Sequence, residues 1–485
     1  MRGRIVTLIV GLLAVLSLFA PGSFTDSIQI VASAFLASFG GWTLFVATGS
    51  VVFCLLILIV PQGRTVIGGP EAKPEFRFVT WASMMFAAGM GSGLVFWGAA
   101  EPIIHWLSPP PGEGLLPETA DARARALALT QFNWALHGWG VYALAAIAIG
   151  LFMTRDGPIL PSTPFPSFPP RVRRAIDIAG LIAVLFGVVA SLGQSVILLG
   201  AGAEIVTGGA LPSGLGIQLL ALSIITAGYL GSAALGLRRG IAVLSNVNAA
   251  VAGVLALWIL VAGPTGPILV TIGESFVTYL AALPELSVSL RSDEEGRSWT
   301  SAWSLTYFLW WIAWTPFIGV FLARISRGRT IRSFVVAAVL LPCLVTLLWF
   351  GILGGAALEF QANGLDLGAR DFDTAPQAAF RVLEGLPLTK LFQIVAMALI
   401  AVFLVTSADS GAYVLAMFSE QEADPSVNAR LIWGLIVALM TAGAVLSQTG
   451  QDATRALAVA GAMPLTFILF GQGVSAGLKL LRRRP

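Results

Sequence analysis

The chain has 485 residues, of which 57% are hydrophobic and 11% are charged, and its formal net charge is +3. Soluble proteins carry roughly 25% charged residues, so this composition indicates one membrane domain rather than several soluble ones. No run of Lys and Arg interleaves with aromatic residues, which argues against nucleic-acid binding. Two cysteines exclude a disulfide scaffold and a multi-cysteine zinc site.

Apolar runs long enough to cross a bilayer recur along the whole chain. A crossing helix needs about 20 apolar residues, and about twelve such runs are present. They cover residues 4–20, 41–60, 79–106, 126–153, 174–200, 215–237, 241–262, 297–324, 331–357, 388–418, 427–447 and 452–480. We interpret the first run as an uncleaved span rather than a signal peptide, because an even count fits the charge distribution. The expected fold is an all-α integral membrane protein.

The charges predict which side each loop faces, because Lys and Arg favour the cytoplasmic side. With both termini inside, most of the 28 Lys and Arg lie in inner segments, and the outer loops are acidic. The reverse orientation would place that positive excess outside. We therefore expect both termini to be cytoplasmic, the second of them ending in a short basic tail at residues 481–485.

One connecting segment, residues 263–296, differs from the other loops. It contains a moderately apolar piece, Ile268 to Leu283, accompanied by Glu274 and Glu285. The segment is too polar for a span by this reasoning, so we predict an amphipathic helix at the outer, periplasmic surface.

The third run carries three glycines in five residues, at Gly89, Gly91 and Gly93. Each glycine destabilises a helix by about 1 kcal/mol relative to alanine. Small residues can serve close helix packing, but this spacing does not favour one face of the helix. The alternative is a helix unwound at mid-membrane, whose freed backbone groups bind an ion or a solute.

Two runs are rich in aromatic residues. Tryptophan is usually found at the membrane interface, which can account for Trp299 and Trp303 but accounts less well for the deeper Trp310, Trp311 and Trp314. The fourth run has Trp134, Trp139 and Tyr142, and the eighth has Trp299, Trp303, Trp310, Trp311 and Trp314. At about 100° per residue, Trp303, Trp310 and Trp314 form one stripe, and Trp311 lies beside it. These rings can be a packing stripe, or a cage whose ring faces attract a quaternary ammonium group.

The tenth run combines hydroxyl groups with an acid, at Thr406, Ser407, Asp409 and Ser410. Such groups are unfavourable in lipid and often mark function. Helical Ser and Thr can simply bond back to a preceding carbonyl. The other interpretations are ligation of a small cation such as Na⁺ by hard oxygens, or a proton-carrying role for Asp409.

Together these stretches resemble the betaine/choline/carnitine transporter family over about residues 40 to 480 of this chain. The Trp-rich segment with its Arg-rich tail is long and specific. The resemblance rests on Phe86 to Gly93 with Phe96-Trp97-Gly98 and Glu101-Pro102, on Trp299-Thr300, Trp310 to Phe317 and Ala323 to Arg332, and on Thr406 to Ser410.

The resemblance implies a fold and a mode of action. Two N-terminal helices (residues 1–78) would precede two inverted five-helix repeats (79–262 and 297–480), joined by the connector at 263–296. Transport would proceed by alternating access around a site at the membrane midplane, as in sodium-coupled amino-acid symporters. Members of the family commonly form trimers, so we expect a homotrimer in the bacterial inner membrane.

The resemblance also implies residue roles. An aromatic box for a trimethylammonium group would consist of Trp134, Trp139, Tyr142 and Trp311, with Trp310 and Trp314 on the same pathway. The substrate carboxylate would face the backbone of Met90, Gly91, Ser92 and Gly93. A sodium site would use the carbonyl groups of Ala87, Met90 and Phe403 and the hydroxyl groups of Thr406 and Ser407.

Several positions depart from the family pattern. Val184 and Val188 stand where sodium-coupled betaine members carry two threonines of a second sodium site, although its aromatic partner, Phe317, is kept. Ser92 replaces a common isoleucine, and Gly93 stands where choline-type members tend to carry aspartate. Because a bare cation would need that carboxylate, the sequence favours a zwitterion.

The leading hypothesis is therefore a Na⁺-coupled importer of glycine betaine or a relative such as carnitine, dimethylglycine or a sulfonium analogue. The alternatives are a cation-independent exchanger of the carnitine type, and uptake of choline or a dimethylsulfonium compound. A channel is a further class, whose flux would not saturate. An enzyme is disfavoured because neither a nucleophile–base pair nor a metal cluster is evident, and no cofactor besides Na⁺ is expected.

Overall fold

The computed structural model describes residues 2–89, 91–154, 157–235, 238–291 and 293–482. Within these ranges the protein is helical, and the only β-type pairing is an isolated bridge between Val66 and Thr330. The long helices are α1 (Arg2–Phe19), α2 (Pro21–Ile59), α3 (Phe78–Gly89), α4 (Ser92–Leu107), α5 (Ala120–Trp134), α6 (Leu136–Phe152), α7 (Pro170–Val206), α8 (Leu215–Leu235), α9 (Arg238–Ala262), α10 (Thr265–Leu286), α11 (Glu294–Ile325), α12 (Ile331–Ala362), α13 (Thr389–Glu420), α14 (Val427–Leu446) and α15 (Gln451–Arg482).

The expected all-α membrane fold of about twelve spans is confirmed. Among the described residues, 11 helices are long and apolar enough to cross a membrane when α5 and α6 are counted together, and α1 adds a shorter apolar helix. The two halves α3 and α4 are each too short to be included, but they follow one another across a brief interruption. Seven crossings thus precede α10, the last five of them in the predicted first repeat, and five follow it, while the inverted symmetry of the two repeats stays a prediction.

Two predicted boundaries differ from the structure. Helix α2 begins at Pro21, twenty residues before the predicted start of the second span, and bends at Phe39, where φ is −125° and ψ is 16°. Polar residues such as Thr25 and Asp26 hid this first half from a hydropathy criterion. Helix α10, in the predicted surface connector, is apolar enough by length and composition to cross a membrane. Its polarity therefore does not exclude a crossing, and its place at the outer surface stays a prediction.

Segments predicted to share the cytoplasmic side contact one another. The Arg332 guanidinium, at the start of α12, donates to the carbonyl of Val60 at 2.7 Å. The Lys479 ammonium, near the end of α15, donates to the carbonyl of Leu151 at 2.7 Å. Cationic side chains thus satisfy carbonyl groups at the C-terminal ends of α2 and α6, which is the favourable end of a helix for a positive charge.

Segments predicted to share the outer side also contact one another. Glu113, in the loop after α4, accepts hydrogen bonds from Arg125 of α5 at 2.9 Å and from Arg291 after α10. Arg123 and Glu359, from α5 and α12, form an ion pair of 2.7 Å. These contacts fit the grouping of loops that the charges predicted.

The helices differ in how deeply they lie within the protein. In the most apolar window of α5 and α6, 89% of residues are buried, and in α11 the figure is 78%. The corresponding fraction is only 22% in α8, which therefore lies at the periphery. The deep aromatic residues of the sequence belong to the interior helices, so their rings contact protein rather than lipid.

Candidate functional site

The glycine-rich stretch interrupts the third span, as the unwinding hypothesis predicts. Helix α3 ends at Gly89 and α4 begins at Ser92, with Gly91 in an extended conformation (φ −142°, ψ 177°). A Cβ atom added to Gly91 would meet nothing within 4 Å, whereas one added to Gly93 would lie 2.9 Å from the ring of Trp134. The start of α4 therefore lies directly against the first ring of the predicted box.

Part of this glycine-rich stretch lies outside the residues that the structure describes. Met90 lies outside the described residues, and only the backbone of Ala87 and Ser92 is described. Their predicted parts in carboxylate and sodium binding therefore stay predictions.

The fourth span contains a second interruption, which the sequence did not reveal. Helix α5 ends at Trp134 and α6 begins at Leu136, because Ala135 adopts a non-helical conformation with φ −98° and ψ −110°. In one continuous helix, Trp134 and Trp139 would point about 140° apart. The break at Ala135 changes their relative direction, and both rings contact the same partner on α11.

That partner is Trp311, the centre of the aromatic box. Its ring centroid lies 6.0 Å from that of Trp134, 5.8 Å from that of Trp139 and 5.0 Å from that of Tyr142. The ring planes meet at angles of 56° to 73°, in the tilted and edge-to-face arrangements that aromatic pairs prefer. The structure thus brings together all four residues predicted for the box.

A glycine makes the close approach of these helices possible. A Cβ atom at Gly138 of α6 would lie 2.3 Å from the Trp311 ring, so no larger residue fits there without displacing the ring. Trp139 and Trp311 are buried, and Trp134 is half-buried. The Trp139 indole donates to the hydroxyl of Thr346 on α12 at 3.1 Å. The box is consequently fixed from several helices.

Trp310 and Trp314 point in another direction. The Trp310 indole donates to the hydroxyl of Ser191 on α7 at 3.3 Å. Trp314 approaches α7 at Gly187 and packs edge-to-face on Phe317, at a centroid distance of 5.6 Å. Trp310 and Trp314 of the predicted stripe therefore face α7 instead of completing the ring of four, whereas its third member, Trp303, packs on Trp97 and Phe372. A role of these two residues on the pathway stays a prediction.

Two residues that sequence reasoning did not assign to the site hold the box in place. Glu101 of α4 is fully buried and accepts hydrogen bonds of 2.7 Å from both the Asn133 amide and the Trp134 indole. The main-chain carbonyl of Asn133 accepts a hydrogen bond of 3.1 Å from the Trp311 indole. An acid within a span was the available signal for Glu101, whereas a carbonyl acceptor such as that of Asn133 leaves no trace in the sequence.

An aromatic layer lies beside the box and consists of Trp97, Trp303, Tyr307 and Phe372. Tyr307 links it to the box through a contact of 5.1 Å with Trp134. The Arg455 guanidinium of α15 lies 3.7 Å from the centre of the Phe372 ring and donates to the carbonyl of Ala302. Ala302 belongs to a π-helical turn in α11, and such turns are frequent at functional sites. The layer therefore joins α4, α11 and α15 on one side of the box.

Thr406, one of the predicted sodium ligands on α13, bonds within its own helix. The Thr406 hydroxyl donates to the carbonyl of Val402 at 3.0 Å and to that of Phe403 at 3.1 Å. This is the local back-bonding that the sequence offered as the ordinary interpretation. Ser407 follows on the same helix, which packs against α4. The convergence of the five proposed oxygen ligands on one sodium ion stays a prediction.

The predicted loss of a second sodium site involves buried aliphatic side chains. Val184 and Val188 of α7 are each 1% exposed. A methyl group of Val188 lies 2.8 Å from the position of a Cβ atom on Gly411 of α13. Methyl groups cannot ligate a cation, so these two positions supply no side-chain oxygen. Among the described residues, no group of three or more His, Cys, Asp and Glu is arranged to hold a metal ion.

Comparison with known proteins gives a consistent result along the whole chain. Residues 4–484 match the betaine/carnitine/choline family transporter profile. The glycine betaine transporter OpuD of Bacillus subtilis is 39% identical over 461 residues, which cover 92% of this chain and 88% of the relative.

Two proteins of Vibrio parahaemolyticus are similar as well. Glycine betaine transporter 1 is 34% identical, with 91% of this chain and 86% of the relative covered. A glycine betaine/proline/choline/ectoine transporter is 33% identical, with 96% and 84% covered. These are transporters and not enzymes. With its helical membrane fold and its four-ring box, the chain belongs to the betaine/carnitine/choline transporter family.

Proposed function

We propose that this protein is a secondary active transporter that imports a small quaternary-ammonium zwitterion, namely glycine betaine or a close relative. The observation that carries the proposal is the convergence of Trp134, Trp139 and Tyr142 on Trp311. Desolvated ring faces attract a quaternary ammonium by about 2 kcal/mol or more. The names of three relatives, from Bacillus and Vibrio, include glycine betaine.

The start of α4 supports a zwitterion over a bare cation. Gly91 and Gly93 bring no carboxylate to the box, so a cation would have no counter-charge at that position. Backbone N–H groups at the N-terminus of a helix favour an anion. A substrate that carries its own carboxylate would place it there while its ammonium group meets the rings.

Sodium coupling through one site is compatible with the geometry of α13. The Thr406 hydroxyl donates its proton to backbone carbonyls, so its oxygen lone pairs remain able to accept or to ligate. With Ser407 and the carbonyls of Ala87, Met90 and Phe403 it would form an uncharged set of five oxygens, suited to weak binding of Na⁺. The valines of α7 argue against a second site.

Alternating access would move the two predicted five-helix repeats around this site. The aromatic layer and Arg455 close one side of the box and would have to separate for passage on that side. We further propose a homotrimer in the bacterial inner membrane with both termini cytoplasmic, in keeping with the family resemblance and the distribution of charges.

Uptake of radiolabelled glycine betaine into proteoliposomes tests the proposal. With an inward Na⁺ gradient we expect uptake that saturates and exceeds the uptake seen with K⁺ in its place. Equal uptake with either cation would contradict sodium coupling. Protein-free liposomes are the control, and absence of protein-dependent uptake or counterflow would contradict the transport function for this substrate.

The valines at positions 184 and 188 favour one alternative, a cation-independent exchanger of the carnitine type. Such a protein would exchange labelled substrate for unlabelled substrate without any ion gradient. Counterflow that is equally fast with and without Na⁺ would support the exchanger and count against the symporter.

A further inference from the structure

Glu101 is a buried acid that the proposed function does not use. Its side chain is fully buried in α4, and each of its two oxygens receives an N–H group at 2.7 Å, from Asn133 and from Trp134. The ring of His105, one turn further along the helix, approaches the same carboxylate to 3.4 Å. Acids inside a membrane protein are unfavourable unless they are paired, and they are commonly functional.

In these two hydrogen bonds, both side-chain oxygens of Glu101 act as acceptors. A tryptophan indole can only donate, and the Asn133 amide donates here through its nitrogen. A carboxylate accepts from both donors, whereas glutamine has one acceptor oxygen and could pair with Asn133 only if that amide exchanged the positions of its oxygen and nitrogen. Hydrogen bonds to a carboxylate are also shorter and roughly twice as strong as those between neutral groups. The geometry therefore calls for an acid at this position.

Two of the four box rings depend on this carboxylate. It holds the Trp134 ring directly. It also fixes Asn133, whose carbonyl accepts the hydrogen bond of the Trp311 indole. Both residues lie immediately before the break at Ala135, where the backbone itself does not continue the helix. Glu101 thus stabilises the irregular segment from which the box is built.

The carboxylate also changes what the box attracts. An anion at the N–H edge of an indole increases the negative potential on its ring face, and the low dielectric of the interior strengthens this effect. The same negative charge repels a substrate carboxylate. A zwitterion would therefore orient its ammonium group toward Trp134 and its carboxylate toward the start of α4, about 14 Å along that helix from Glu101.

We propose that Glu101 is a positioning and specificity-determining residue, which fixes Trp134 and Trp311 and selects a cationic group for the box without touching the substrate. This proposal rests on the proposed function, because the box must bind a quaternary-ammonium compound.

The test is a double-mutant cycle of Glu101→Gln and Trp134→Phe in the full-length protein, with the dissociation constant of glycine betaine as the readout. Phenylalanine keeps a ring but removes the indole donor. In the wild-type background, Glu101→Gln is expected to weaken binding about tenfold to a hundredfold. In the Trp134→Phe background, the same change is expected to have a smaller effect, because only the route through Asn133 and Trp311 remains. Glu101→Asp, which keeps the charge, is expected to recover part of the affinity.

Ser419→Ala is the matched control. It removes the acceptor of another buried indole, that of Trp433, whose hydrogen bond of 2.9 Å joins α13 and α14 away from the box. Its dissociation constant for glycine betaine is expected to equal that of the wild type.

A spectroscopic readout needs no substrate and no Glu101 variant. The ultraviolet resonance Raman difference spectrum between the wild type and Trp134→Phe isolates the Trp134 band that reports indole hydrogen bonding. A strongly hydrogen-bonded indole is expected, and a free one would overturn the proposal even if Glu101→Gln does not fold.

Equal effects of Glu101→Gln in both backgrounds would also overturn the proposal, as would an equal loss in Ser419→Ala. If the wild type binds no quaternary-ammonium compound while Trp134 shows the strong hydrogen bond, the proposed function and the selection of a cation fail, but the positioning of the ring by Glu101 stands.

Discussion

The aromatic box and the hydroxyl-bearing stretch of α13 are built in opposite ways. The box joins side chains from α5, α6 and α11, and each ring contacts Trp311 across a helix boundary. On α13, the Thr406 hydroxyl bonds to carbonyl groups one turn earlier in its own helix. Packing between helices therefore fixes the box, whereas the observed hydrogen bonds of the Thr406 hydroxyl lie within a single helix.

This difference separates two kinds of recognition. Large rings bury much surface and hold a fixed direction, so a site made of them is fully formed in the helix packing. A site for a small cation consists mainly of oxygen atoms, several of them on the backbone, and depends on displacements of a fraction of an ångström. The proposed substrate site is thus argued from contacts among the four rings, and the proposed sodium site from a pattern of residue types.

The largest expected effect concerns the boundary between the box and the start of α4. Gly93→Asp places a side chain against the Trp134 ring, since the Cβ atom alone would lie 2.9 Å away. Its charge would also oppose the substrate carboxylate, so glycine betaine affinity should fall about a hundredfold or more. The affinity for choline, which has no carboxylate, should fall less. Gly93→Ala measures the steric effect without the added charge. Equal losses for both compounds in a binding assay would contradict a carboxylate position near Gly93.

The next effect concerns the centre of the box. Trp311→Leu keeps an apolar side chain but removes the ring that the other three residues contact. Glycine betaine affinity should fall by about 1–3 kcal/mol. Trp258→Leu is the matched control, because that ring stacks on Phe392 at 4.9 Å, outside the box. Unchanged glycine betaine affinity of Trp311→Leu in titration calorimetry would contradict a role of the box in substrate binding.

A smaller effect is expected on α13. The double substitution Thr406→Ala with Ser407→Ala should raise the Na⁺ concentration for half-maximal uptake, because two proposed oxygen ligands are lost. Thr441→Ala serves as control, since this buried threonine bonds back to Val437 at 2.8 Å in the same manner on α14. If the double substitution does not change the Na⁺ dependence of uptake, the coupling ion does not bind to Thr406 and Ser407.

The smallest effect concerns stability outside the membrane-spanning segments. Partial burial raises the pKa of Glu113, but hydrogen bonds and charges from Arg125 and Arg291 outweigh it and hold the pKa below its ordinary value of 4.5. Because the pKa is lower in the folded state, this stabilisation is complete above the ordinary value and is lost as the pH falls through the lowered one.

Glu113→Gln should therefore lower the melting temperature slightly at neutral pH and make it less sensitive to acid. Thermal unfolding followed by fluorescence measures this effect, and the exposed Glu118 of the same loop provides the control substitution Glu118→Gln. Parallel pH profiles of the wild type and Glu113→Gln would contradict a folding role of this cluster.

Periodicity and residue type revealed the helices and the glycine break, because these depend on properties that each side chain carries with it. The choice of the four box residues came from the resemblance to the family. Neither periodicity nor residue type revealed the break at Ala135. Alanine ordinarily favours a helix, so its non-helical conformation (φ −98°, ψ −110°) is imposed by its surroundings. The role of Asn133 was equally hidden, since its contact with Trp311 uses a main-chain carbonyl that every residue possesses. The first half of α2 was missed because polar residues can lie on a long helix outside the apolar core of a bilayer.

The central claim is that the box recognises a positive charge, and one binding measurement tests it most directly. Glycine betaine and the tert-butylacetate anion have nearly the same shape, but carbon replaces the charged nitrogen in the second compound. The account predicts that purified protein binds glycine betaine at least about tenfold more tightly than tert-butylacetate. Equal dissociation constants would show that the rings recognise only bulk, and would contradict the proposed mode of substrate recognition.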